Sequence, residues 1–176
     1  MRVQEHIKLS TAAALVALPW LKKDTWIPLS ASVLIDVDHY LWYVATHRTL
    51  SLRAALRYFT QAHPTQRRAT KLFHQPPLLM ALALIATYTR SKTLWLILAG
   101  FLFHVSLDTF HMSRIASLKH SLIVEARGCC PECGEPCDEL QLHTVYSARS
   151  MFNRYRREHF VALCPACHER AHEGQP

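Results

Sequence analysis

Residues 93–111 read TLWLILAGFLFHVSLDTFH, an apolar run that carries His104, Asp108 and His111 toward its end. About 20 apolar residues cross the hydrocarbon of a bilayer, and an ionisable group at such depth is costly unless something pairs with it. The stretch Leu34-Ile35-Asp36-Val37-Asp38-His39, inside a second apolar run over 26–46, repeats the anomaly. Asp and His together suit divalent metals, so the first expectation is a buried metal site.

Two further apolar segments, 9–21 and 77–89, bring the number to four. They are separated by Lys22-Lys23-Asp24, by a polar, basic stretch from 47 to 75, and by Thr89-Arg90-Ser91-Lys92. This pattern predicts a mostly α fold: a membrane-embedded bundle of about four helices over residues 1–126, then a small C-terminal zinc module over 127–176. Segments 9–21 and 77–89 are short for a full crossing and read as tilted, interfacial or embedded. Trp20, Trp26, Trp42 and Trp95 lie at or near segment ends, where interfacial aromatics collect. A soluble helical bundle is the competing reading, and the apolar surface of residues 77–110 argues against it. Leu18-Pro19-Trp20-Leu21 is not a small-residue cleavage site, so the N-terminal segment is read as uncleaved.

The net charge of +7 is unevenly distributed. Residues 1–126 hold 14 Lys and Arg against 6 Asp and Glu, whereas residues 127–176 hold 6 against 7. Basic residues beside apolar segments read as membrane topology and contact with anionic lipid, which makes nucleic acid the less favoured partner. Arg48, Arg53, Arg57, Arg67, Arg68 and Lys71 put the 47–75 loop in the cytoplasm, and four crossings put both termini there too. The expected location is therefore the inner (cytoplasmic) membrane, multi-pass, with the C-terminal module cytoplasmic. Within the loop, residues 48–60 place Leu50, Leu52, Leu56 and Phe59 near one face with arginines opposite, as in an amphipathic helix at a membrane surface.

His104 and Asp108 are four apart and His111 is three further on, so on a helix all three project from one face as a partial shell for zinc, manganese or iron. Asp36 and Asp38 cannot share a helical face, so the backbone is expected to leave regular helix between them. His6 and His74 flank apolar segments. Taken in order, His6, Leu34-Ile35-Asp36-Val37-Asp38-His39, Phe73-His74-Gln75 and His104-x-x-x-Asp108 resemble the motifs of the inner-membrane-associated metal-dependent hydrolase family over residues 1 to about 112. That family has an N-terminal His, a Leu-Pro-Asp-x-Asp-His stretch, a Thr-His-Ser and a final His-x-x-x-Asp. Here Ile35 stands for its proline and Gln75 for its serine, and its His-Arg-Gly element is missing unless His47-Arg48 replaces it. The resemblance implies metal ligands at His6, Asp36, Asp38, His39, His74, His104 and Asp108, with Asp36, Asp38, His104 and Asp108 catalytic. It implies a divalent ion, Zn2+ or Mn2+, that activates water against a lipid-linked or phosphoester substrate.

All six cysteines, at 129, 130, 133, 137, 164 and 167, fall in the last third. Cys130-Pro-Glu-Cys133 and Cys164-Pro-Ala-Cys167 are two C-x-x-C knuckles, the ligand set of a closed tetrahedral Zn2+ site that holds together a module too small for a core of its own. Cys129 and Cys137 are spares that could replace a thiolate of the first knuckle. With Leu140-Gln-Leu-His143 between the knuckles and His168-Glu-Arg-Ala-His172 after them, the tail resembles the ββα zinc-containing HNH nuclease module. The resemblance implies His143 as general base and His168 as a metal ligand. Leu142 and His159 replace that family's metal-binding Asp or His and its Asn, and His172 lies one turn beyond His168. Arg149, Arg154, Arg156 and Arg157, interleaved with Phe152 and Tyr155, are expected to meet phosphates or lipid headgroups.

Three functions therefore remain open: a membrane-bound metal-dependent hydrolase whose cytoplasmic zinc module binds a protein partner, a membrane-tethered HNH-type endonuclease, and a non-enzymatic, metal-stabilised membrane adaptor.

Overall fold

Seven α-helices and two short strands are described in the computed structural model, over residues 3–60, 72–145 and 155–173. Arg67, Arg68, Lys71, Arg149, Phe152 and Arg154 lie outside the described residues. In order, the elements are α1 (Val3–Leu21), α2 (Trp26–Leu34), α3 (Val37–His47), α4 (Leu52–Thr60), α5 (Pro76–Thr89), α6 (Lys92–Ala126), β1 (Gln141–Thr144), β2 (Phe160–Leu163) and α7 (Pro165–Glu173). The chain divides into two compact units, Met1–Asp108 and Thr109–Pro176, so the division falls within α6 and not at its end.

Helix ends follow local chemistry. Lys22, Arg48, Arg90 and Arg127 have φ near +50° immediately after α1, α3, α5 and α6. A left-handed residue usually closes a helix as glycine, but this chain has only 4 glycines and uses basic residues instead. Their charge complements the negative helix C-terminus, which offsets part of the conformational strain. Helix α5 begins with Pro76 and Pro77 behind an extended Gln75, where the missing N–H groups cost nothing.

The apolar segments differ in detail from their sequence reading. The 26–46 run is not one helix: it breaks at Ile35–Asp36 into α2 and α3, with Ile35 fully buried and Asp36 at the N-cap of α3. The first segment is longer than expected, starting at Val3, and the amphipathic helix is shorter, starting at Leu52. Helix α6 runs on to Ala126, well past the apolar run. Among the described residues, α6 alone is long and apolar enough to cross a membrane, and α5 is a shorter apolar helix. Among the described residues, a crossing therefore has one candidate.

In the first unit, α1, α2 and α6 approach closely through small residues. Ser10 of α1 and Ser32 of α2 share a buried hydrogen bond of 2.7 Å, and Gly100 of α6 lies against the Pro28 and Ala31 turn of α2. This contact sets the axial position of α6 and hence of His104, one helical turn further along. In the second unit, β1 and β2 pair antiparallel with His143 opposite Val161, and α7 follows directly. Four-residue strands in a two-stranded sheet have little independent stability. Cys130, Leu140, Ala162, Leu163 and Cys167 form the buried centre, flanked by Leu122, Ile123 and Ala126 of α6.

Gly100→Ala tests the close approach. The added Cβ would lie 2.4 Å from the Pro28 carbonyl oxygen and 2.8 Å from Ala31 Cβ. Backbone cannot rotate aside, so a thermal melt should show a loss of about 1–3 kcal/mol, whereas Gly128→Ala meets no atom within 4 Å and costs only its backbone conformation.

Candidate metal centres

Each metal-ligating residue expected in the first unit is placed in one linked network, and the helix break explains how. Asp36 holds the N-cap of α3, yet its side chain makes no capping hydrogen bond. An Asp at that position ordinarily spends its carboxylate on the first free amides. Here Asp36 Oδ1 faces two imidazoles, 3.4 Å from His74 Nε2 and 3.4 Å from His104 Nε2. The break also turns Asp38, two residues on, into the buried interior.

The His104 tautomer follows from its neighbours. Its Nδ1 lies 2.7 Å from the Ser32 carbonyl oxygen, which can only accept, so Nδ1 carries the proton and donates it. The Nε2 lone pair is then left facing Asp36 and, at 3.7 Å, Asp108 Oδ2. His104 is fully buried, and its Nε2 has no hydrogen-bond partner; neither has His74 Nε2 or His6 Nδ1. Lone pairs aimed at carboxylates in a buried place repel, and either a ring proton or a bound cation between them would remove that cost. Ligand atoms around an ion with bonds of about 2.1 Å sit roughly 3–3.5 Å apart, the separation seen here. The donor set therefore fits a divalent cation.

The remaining groups orient this set. His6 Nε2 lies 3.0 Å from Asp108 Oδ1, and its ring stacks on that of His104 at 3.9 Å. Asp38 accepts from His39 Nδ1 at 2.6 Å, from the Phe73 amide at 3.0 Å and from His74 Nδ1 at 3.4 Å. A carboxylate on the far nitrogen of a ligating imidazole is the common way to fix its ring. Burial alone would lower the His74 pKa, but Asp36 and Asp38 outweigh it and raise it above the ordinary imidazole value. By proximity the donors form two groups: His6, His104 and Asp108, and Asp36, Asp38, His39 and His74.

His111, expected on the same stripe as His104 and Asp108, belongs elsewhere. It lies in the second unit and hydrogen-bonds to the Tyr155 hydroxyl at 2.6 Å. Two contributors had no sequence signal, the Ser32 carbonyl and the Phe73 amide, because backbone groups are available at every residue.

In the second unit, Cys130, Cys133, Cys164 and Cys167 bring their sulfurs within 4.8 Å of one another. Cys133 and Cys164 Sγ are 3.9 Å apart, close to the separation of about 3.8 Å that tetrahedral Zn–S bonds impose. The first knuckle turns tightly, with the Cys130 amide on the Glu135 carbonyl and the Gly134 amide on the Cys130 carbonyl, and Gly134 adopts φ +75° there. Burial opposes ionisation of Cys130, but the amides of Cys164, Cys133 and Glu132 outweigh it and hold the thiol at about 6. Arg170 favours the Cys167 thiolate, yet burial and the neighbouring sulfurs push that thiol up to about 12. Four such thiols cannot all ionise without a cation, and a group that could hold a metal such as zinc is what they form. Cys129 and Cys137 stand outside the group, Cys129 exposed and Cys137 turned to the Glu139 carbonyl.

A third cluster joins His143 of β1 to His168 and His172 of α7. His168 and His172 Nε2 are 3.3 Å apart, and the buried His143 Nδ1 has no hydrogen-bond partner. Burial and the nearby His172 lower the His143 pKa, which keeps its imidazole neutral. Leu142 pairs with Ala162 in the sheet, and the His159 carbonyl accepts the Val145 amide at 2.8 Å.

Cys164→Ser should abolish zinc retention and, with it, on the order of 10 kcal/mol of folding free energy in the module. Hydrogen exchange should then show protection lost over 141–144 and 160–172 while α1–α3 keep theirs. Metal uptake must also release protons, since Cys167 is protonated at neutral pH, so zinc affinity should fall as pH falls. Compared with known proteins, the chain matches no family model, no curated protein and no solved structure.

Proposed function

We propose that this chain is a membrane-bound metal-dependent hydrolase. The observation that carries the proposal is the pair of buried, unpartnered Nε2 atoms of His74 and His104 converging on one Asp36 oxygen at 3.4 Å each. Buried polar atoms are almost always satisfied, and a bound divalent cation would satisfy these groups together with Asp36. A bound divalent ion supplies Lewis acidity and a nucleophilic water near neutral pH.

The chain's own residues do the rest. His104 is locked by Ser32 and His74 by Asp38, so neither ring rotates away from its ligand position. Asp36 and Asp108 are 27% and 25% exposed, whereas Asp38 is 3% exposed, so the first two are the carboxylates that water and substrate reach. One of them takes the proton of the attacking water as its oxygen bonds to the ester centre. The bond to the leaving alcohol breaks, and the alcohol receives that proton.

The membrane assignment rests on α6, of which only 17% of the most apolar window is buried. A core helix of that hydropathy in a soluble fold would be covered. The outer faces of α1, α2 and α5 add exposed Leu15, Val16, Trp20, Trp26, Leu84 and Ile85. An embedded bundle of several helices accounts for them, with the zinc module outside as a docking element for a protein partner.

A second reading, an HNH-type nuclease tethered by α6, is favoured by the three-histidine cluster with its unpartnered His143 Nδ1. Separate variants distinguish the two. Asp108→Ala should lower ester hydrolysis by about 100-fold or more, measured on bis-p-nitrophenyl phosphate with detergent-purified full chain, and His143→Ala should leave it unchanged. Loss of plasmid cleavage with His143→Ala alone would favour the nuclease. Activity indifferent to both would favour the adaptor.

A further inference from the structure

We infer that Asp36 bridges two divalent cations, making the site in the first unit a dinuclear centre whose ligand is a phosphoester. This deepens the hydrolase reading and rests on it. The donors fall into two groups, each compact enough for one ion: His6, His104 and Asp108, and Asp36, Asp38, His39 and His74. The groups are not separate. Asp36 Oδ1 is equally near His74 Nε2 of its own group and His104 Nε2 of the other, at 3.4 Å. The two imidazoles meet edge to face, with ring centroids 5.1 Å apart, so their lone pairs approach that carboxylate along different directions. One ion would be held on each approach, with Asp36 as the ligand they share. Its side chain is free for this because the α3 cap makes no use of it.

Each imidazole is also oriented from behind by a different partner, His104 by the Ser32 carbonyl and His74 by Asp38. Two independently oriented ligand sets suit two ions better than one. Ion pairs about 3.5–4 Å apart clamp the attacking and leaving oxygens of an in-line phosphoryl displacement. In that step the water oxygen bonds to phosphorus and the bond from phosphorus to the leaving alkoxide breaks. The water's proton passes through Asp108 to the alkoxide.

The experiment loads full-length protein, carrying His143→Ala to remove the three-histidine cluster and zinc in the thiolate site, with Mn(II). Manganese content and electron paramagnetic resonance are then read. Two Mn(II) per chain with an exchange-coupled spectrum are expected, and Asp36→Asn should abolish the coupling and hold at most one ion, while Asp36→Glu restores coupling in part. Inorganic phosphate should perturb the coupled spectrum and tighten Mn(II) binding at least threefold. One uncoupled Mn(II) in the unsubstituted site overturns the bridge and leaves a mononuclear hydrolase. Coupled ions indifferent to phosphate overturn the phosphoester assignment. Absence of Mn(II) and Zn2+ from the first unit removes the hydrolase reading itself. A circular dichroism spectrum of Asp36→Asn matching that of the parent separates lost coupling from lost fold.

Discussion

The hydrogen bond from His104 Nδ1 to the Ser32 carbonyl, 2.7 Å long and fully buried, is the constraint on which the first unit turns. It ties α6 to α2 and fixes which nitrogen of His104 carries the proton. From that follows the direction of Nε2, which faces Asp36 and Asp108 in an arrangement that could hold a metal ion. The same contact depends on packing at a distance. Gly100 lets α6 approach the Pro28 turn, and the Ser10–Ser32 hydrogen bond holds α1, with His6 at its start, against the same surface. Enlarging the small residues would displace a ligand, not merely loosen a helix, because α6 supplies packing and donors from one face.

The second unit solves a different problem. Its strands are four residues each and its buried centre includes two of the four cysteines, so little apolar area is removed from water. A module of this kind lacks the hydrophobic surplus to offset chain entropy and would gain stability from metal held by its four cysteines. The thiol chemistry agrees, since Cys130 ionises readily and Cys167 resists, a combination that a tetrahedral cation resolves.

The clustering of Asp and His side chains was partly legible because helical periodicity is a strong signal. The i, i+4 spacing of His104 and Asp108 placed them on one face, and the impossibility of Asp36 and Asp38 sharing a face pointed to a departure from helix between them, which the structure has slightly earlier, at Ile35–Asp36. Periodicity gives a face but not the neighbour it meets, which is why His111 was grouped with His104 although Tyr155 takes it. The length of α6 has a separate cause. Hydropathy falls after Phe110, but no glycine or proline appears between Gly100 and Gly128, so nothing stops the helix. Ser32 and Phe73 were invisible since they act through backbone atoms.

The most direct measurement of the central claim is anomalous X-ray scattering at the manganese edge from crystals of the full chain loaded with Mn(II) and Zn2+. A manganese peak within about 2.3 Å of both an Asp36 oxygen and His104 Nε2 is the predicted result, with the zinc peak at Cys130, Cys133, Cys164 and Cys167 as internal control. A zinc peak at the cysteines with no metal density beside Asp36 would contradict the account.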